Sequence, residues 1–138
     1  MIMMSSVTMF ISMFIVQYVF MSFIMTDKIG NITNSIGKVY MSTIMALVMV
    51  LIMNYNIQNI AMFGGLLIAV IFLYKMQFGI YDKSYLNEMI EHHSMALLTS
   101  NAILKKTNNS YVADIATRIC NTQEKEIQEM QNLLLMIR

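Results

Sequence analysis

Charge is distributed so unevenly along this 138-residue chain that the distribution alone restricts its fold. Asp27, Lys28, Lys38 and Lys75 are the only charged residues in the first 81 positions, and the other thirteen lie in 82–138. With 57% hydrophobic and 12% charged residues, the chain is too apolar for an ordinary soluble domain. The apolar surplus lies in three stretches. The first, Ile2 to Met25, carries no charge, and Ile36 to Met53 is interrupted only by Lys38. Ile60 to Phe78 is the third, with Lys75 near its end, where a lysine can extend its ammonium toward the interface. A helix needs about 20 apolar residues to cross the hydrocarbon core of a lipid bilayer. The first stretch lacks the basic flank and small-residue site of a cleaved signal, so all three read as spans.

The expected fold is an all-α membrane protein: three transmembrane helices in residues 1–79, then an antiparallel helical hairpin in 80–138. The connectors Thr26–Ser35 and Asn54–Asn59, rich in Asn, Thr and Gly, suit turns at a membrane surface. Three spans put the first connector and the C-terminal part on one side. Lys28, Lys38, Lys75 and Lys83 lie on that side, which the positive-inside rule assigns to the cytoplasm. Net charge near +1 without a basic run argues against nucleic acid as a partner. Cys120, the only cysteine, excludes an intramolecular disulfide and a cysteine-based zinc cluster.

In the polar part, one helix is predicted from Asp82 to about Lys106, with Asp82 or Ser84 as its cap. A turn at Thr107–Asn109 follows, and Ser110 then caps a second helix that runs to the end of the chain. Leu86, Met89, His93, Ala96, Ser100 and Ile103 repeat at 3-4 spacing, a helical stripe expected to be buried. Ala116, Ile119, Gln123, Ile127, Met130, Leu134 and Ile137 form its counterpart. A polar residue able to bind a ligand interrupts each stripe. His93, beside His92, interrupts the first and Gln123 the second. A turn centred on Asn108 sets His93 opposite Gln123, and a register one helical turn away brings Glu126 or Met130 nearer. Either register gathers His92, His93 and Gln123 into one layer, with Met89, Glu126 and Met130 close by. Imidazoles with thioethers and a carboxylate form a soft-to-borderline donor set suited to copper. The alternative is architectural: a buried histidine and glutamine that satisfy each other and fix the register of an oligomeric bundle. Two amphipathic helices cannot bury both faces, so a homo-oligomer formed through the hairpin is expected.

Other patterns carry less chemistry. Met41, Met45, Met49 and Met53 recur every four residues along the second span, either as a Cu(I) ladder or as adaptable apolar filler. Glu88 and Glu91 are wrongly spaced for the Glu-x-x-His pattern of di-iron bundles, and His-Glu-x-x-His is absent. Cys120 lies off the stripe that carries Gln123, which suits an inert buried thiol better than a nucleophile paired with His93. No matched set of acid, base and nucleophile argues for an enzyme.

The pattern Met89-Ile90-x-His92-His93-x-x-Ala96, followed by Ile119-x-x-x-Gln123-x-x-Glu126-Ile127-x-x-Met130, resembles the domain of unknown function 305 family over residues 80–136. The apolar segments ahead of it, including Met53-Asn54-Tyr55-Asn56 and the Tyr40-Met41 start of the second span, resemble its subgroup with three N-terminal spans. The resemblance implies a ferritin-like four-helix arrangement, of which this hairpin is half. It also implies copper or silver binding through His and Met, usually outside the cytoplasm, against the side that the lysines favour. Carried over residue by residue, it places ligands at His92, His93, Met89, Gln123, Glu126 and Met130. The chain departs from the pattern at Glu91, where many relatives carry Pro, and at Thr99, where many soluble ones carry a further Met.

Overall fold

The computed structural model describes residues 5–53 and 56–137, and helices dominate throughout. The described chain forms two compact units that differ from the expected division into 1–79 and 80–138. Residues 5–21 and 36–80 make one, and the connector 22–35 joins 81–137 in the other. The cause is polar. The connector's hydroxyl, amide and backbone groups find their partners on the C-terminal helices, as described below.

In the first unit, α1 (Ser6–Ile15) is capped by Ser5, whose Oγ accepts from the Thr8 amide. A π-helical turn, Val16–Met21, follows, and α2 (Ser22–Met25) carries the chain on into the second unit. α3 (Ile36–Met53) and α4 (Ile57–Lys75) complete the helices of the first unit. Three helical stretches, Ser6–Met25, Ile36–Met53 and Ile57–Lys75, are long and apolar enough to cross a membrane. Both α1 and α4 pack on α3, which therefore buries Ser42, Ala46, Leu47 and Val50. No described residue of α4 is buried. The exposed side chains of α1 and α4 include the large apolar Ile11, Ile68 and Phe72, which is compatible with a membrane-spanning helix. Met41, Met45, Met49 and Met53 are all exposed along α3. Lys38 Nζ sits 4.8 Å from the centre of the Tyr18 ring, a cation–π contact that holds its charge against an aromatic face. After α4 the chain enters a turn that contains Gln77 (φ 54°) and Gly79 (φ 74°). Tyr40 closes this turn by donating its hydroxyl to the Phe78 carbonyl at 3.1 Å.

The second unit is built on α5 (Asp82–Leu104) and α6 (Ser110–Met136), an antiparallel pair around Leu86, Ile90, Leu97, Ile127 and Met130. Two expected caps shift by one residue. Tyr81 precedes α5 and makes no side-chain cap bond, which leaves Asp82 as an acidic residue in the first turn. Asn109, rather than Ser110, caps α6. Its Oδ1 accepts from the amides of Tyr111 and Val112, and Ser110 becomes the first helical residue.

The buried stripe of α5 is rotated from the one expected. Leu86, Ile90, Ser94, Leu97 and Ser100 are buried, whereas Met89, His93 and Ala96 are half-buried and Ile103 is exposed. The reason is the connector, which covers a second side of the helix. Thr33 donates its amide to Glu91 Oε1 at 2.6 Å and its hydroxyl to the Asn87 carbonyl at 2.6 Å. Ser22 Oγ donates to Glu91 Oε2 at 3.0 Å. Ser94 Oγ accepts from the Asp27 amide at 2.9 Å and from Asn31 Nδ2 at 3.3 Å. Gln131 of α6 donates to Asn31 Oδ1, and Lys28 reaches Glu124 across exposed surface at 3.5 Å. Asn87, Glu91 and Ser94, at i, i+4 and i+7, form one polar line on α5 that the connector satisfies.

Candidate functional site

His92 and His93 lie in the middle of α5, where consecutive residues diverge by about 100° around the axis. His92 is therefore exposed, while His93 turns toward α6 and keeps 19% of its side chain accessible. Their ring centres are 6.0 Å apart and inclined at 60°. The register brings Glu126 to His93: Nδ1 and Oε2 are 3.2 Å apart. Cys120 Sγ lies 3.5 Å from Asn101 Oδ1, so the paired positions are centred near residue 110 rather than Asn108. Gln123, placed opposite His93 by a turn at Asn108, is thus displaced by about one helical turn.

The contact between His93 and Glu126 is close without being a hydrogen bond. Nδ1 is fully buried and has no hydrogen-bond partner among the described residues. Burial is the largest influence on the His93 imidazole and lowers its pKa below the usual 6.5. The Glu126 carboxylate works in the opposite direction, and neighbouring His92 adds to the lowering. A neutral imidazole that presents its lone pair to a carboxylate is repelled by it. A cation at Nδ1, whether a proton or a metal ion, reverses the sign of the interaction.

The six residues expected in the site separate into two groups. His93 and Glu126 converge, and His92 adjoins them on the exposed side. Met89 and Met130 belong to the apolar core, Met130 buried and Met89 packed against it. Gln123 is half-buried on the Glu126 side of α6. Among the described residues, no three His, Cys, Asp or Glu side chains stand close enough together to hold a metal ion. A single chain thus supplies a close nitrogen–oxygen pair, with a second imidazole beside it, and not a closed coordination shell. Sequence reasoning missed the connector's polar attachment to α5. Its visible signs were the Ser, Asn and Thr of residues 22–35 and the Asn87–Glu91–Ser94 line, each of which reads alone as ordinary surface.

Comparison with known proteins finds a family match that spans the site. Residues 71–134 match the family model described as domain of unknown function (DUF305). The chain is similar to an uncharacterised protein of Acanthamoeba polyphaga mimivirus, 29% identical over 134 residues that cover 91% of this chain and 88% of the relative. No solved structure matches the chain.

Proposed function

Because residues 71–134 belong to the DUF305 family, whose description assigns no activity, we propose a function from the chemistry of the α5–α6 layer. The protein is a membrane-anchored binder of a transition metal, copper foremost, and it sequesters or hands on the ion rather than catalysing a reaction. The observation that carries this reading is His93 Nδ1, buried without a hydrogen-bond partner among the described residues and facing a carboxylate oxygen 3.2 Å away. That arrangement is favourable once a cation occupies it. Imidazole nitrogen is a borderline ligand, and Met89 and Met130 of the adjoining core are the nearest candidates for soft thioether donors in the proposed site. His92 would complete the nitrogen set, and Gln123 and Glu126 would supply oxygen.

The test is a titration of the full chain in detergent with Cu(I), Ag(I) and Zn(II), beside the His92→Ala/His93→Ala variant. Tight binding by the wild type that falls at least about a hundredfold in the variant supports the reading. Equal affinity in both overturns it. The second reading, an assembly element, is favoured by the placement of the His93–Glu126 pair inside a helix–helix contact, where polar pairs can fix register. Under that reading the same variant changes oligomeric state and leaves metal uptake untouched.

A further inference from the structure

The connector 22–35 and the α5–α6 pair enclose a small cleft within the second unit, and no histidine lines it. Lys28 and Asn31 come from the connector, Glu124 and Gln128 from α6, and the buried Leu97 and Ile127 supply an apolar floor. The volume is about 210 Å³, below the about 300–1,000 Å³ of sites for whole drug-sized ligands, and it suits a headgroup-sized one. Part of the cleft is firmly held, because the Asn31 amide is committed to Ser94 and Gln131. Its charged rim is not. Lys28 Nζ and Glu124 Oε1 stand 3.5 Å apart with side chains 65% and 57% exposed, and a pair so open to water is weak. The chain also fixes the level of this rim. The connector leaves one apolar helix at Met25 and enters the next at Ile36. Lys28 follows Met25 by three residues, at most about 11 Å of extended chain. The polar layer of a bilayer is about 5–8 Å deep on each side of the hydrocarbon, so a lysine tethered this closely lies in or against it.

We propose that this cleft binds the phosphoethanolamine headgroup of a bilayer lipid, with the phosphate on Lys28 and the ammonium on Glu124. The headgroup enters between two opposite charges whose own contact is weak, and both remain paired after it enters. Gln128 adds an amide donor for the phosphate, and the two methylenes of the headgroup rest on Leu97 and Ile127. The pair of charges also sets the selectivity. An anionic headgroup would satisfy Lys28 but repel Glu124. A choline headgroup carries the same charges as ethanolamine, yet its quaternary ammonium has no N–H to donate. Glu124 then loses a charge-assisted hydrogen bond. This inference rests on the membrane-anchored part of the reading above and is independent of the metal.

The full chain is reconstituted in vesicles of phosphatidylcholine, alone or mixed with phosphatidylethanolamine or phosphatidylglycerol. Lipid retained after detergent extraction is then counted by native mass spectrometry. The wild type is expected to retain phosphatidylethanolamine over either other lipid by at least about tenfold. Glu124→Gln should abolish the preference over phosphatidylcholine, and Lys28→Gln should weaken phosphatidylethanolamine retention by at least about tenfold. Lys125→Gln, on α6 but outside the cleft, should change neither. If circular dichroism shows lost helicity in the glutamine variant, Glu124→Ala, which favours helix, replaces it. Equal retention of the three lipids by the wild type, or a preference that both cleft variants keep, overturns the site and leaves the membrane reading standing. Soluble phosphoethanolamine that binds as tightly as the lipid overturns the lipid assignment in favour of a free small molecule. A chain that carbonate strips from the vesicles overturns the membrane reading as well.

Discussion

His93 Nδ1 and Glu126 Oε2 face each other across the α5–α6 contact at 3.2 Å, and no hydrogen bond joins them. The carboxylate acts on the imidazole's charge. Burial lowers the His93 pKa and Glu126 partly restores it, so Glu126→Gln should move the imidazole pKa further down. NMR titration of the His93 ring carbon checks this, and an unchanged or raised value would contradict the geometry.

Stability should follow the same imidazole. The folded protein binds a proton at His93 less readily than the unfolded chain does. Its contribution is therefore complete above the unfolded value, about pH 6.5, and declines as pH falls through that value toward the lower folded one. Denaturant unfolding measured from pH 8 to pH 5 should lose stability in that window, and His93→Gln should flatten the loss. A wild-type curve that rises toward acid pH in this range would refute the assignment.

Ser94 joins the connector to α5 by accepting from both the Asp27 amide and Asn31 Nδ2. Ser94→Ala removes the hydroxyl with little change of volume and breaks both bonds, which strands two donors beneath the connector. The expected cost is about 1–3 kcal/mol. Hydrogen exchange at the Asp27 amide should accelerate with it, while amides of the α3 core should keep their protection.

The α5 stripe offers a direct comparison of side chains. Ile90 is 1% exposed, whereas Met89 is only half-buried at the edge of the same core. Ile90→Ala should cost about 2–5 kcal/mol in thermal or denaturant unfolding. Met89→Ala should cost clearly less, and the reverse order would restore the stripe through Met89 and His93.

At the start of α6, Asn109→Ala removes the acceptor for two amides and should cost about 1 kcal/mol. Ser110→Ala, one residue into the helix, should be close to neutral. Unfolding of the two variants in parallel distinguishes the two capping positions.

The legibility of these features followed how each helix is covered. Charge-free length identified three helices able to span a membrane, because a hydrocarbon surrounding demands apolar side chains all round. On α6, the read stripe included Ala116, Ile127 and Met130, the residues the fold buries there. On α5 the read stripe was displaced by about one position, because burial there is shared between α6 and a polar connector. Ser94 is the clearest case. A serine does not announce a buried position, yet it is fully covered because two donors arrive from a segment more than sixty residues earlier. The contact between His93 and Glu126 belongs to the register one helical turn from His93–Gln123, an alternative that the sequence left open.

The attachment of the connector also sets the order in which the second unit can form during synthesis. Thr33 is made 58 residues before Glu91, its partner, and two further helices are made in between. Until α5 emerges, the connector keeps only its local bonds, such as those of the 29–31 turn, and the Ser22 hydroxyl, the Asp27 amide and the Thr33 amide and hydroxyl lack their folded partners. The unit is therefore completed from its far end, when the last helices arrive to engage a loop that has been waiting since the first. A fragment beginning at residue 80 would lack that loop, and would leave Glu91 and Ser94 without the partners that the intact chain provides.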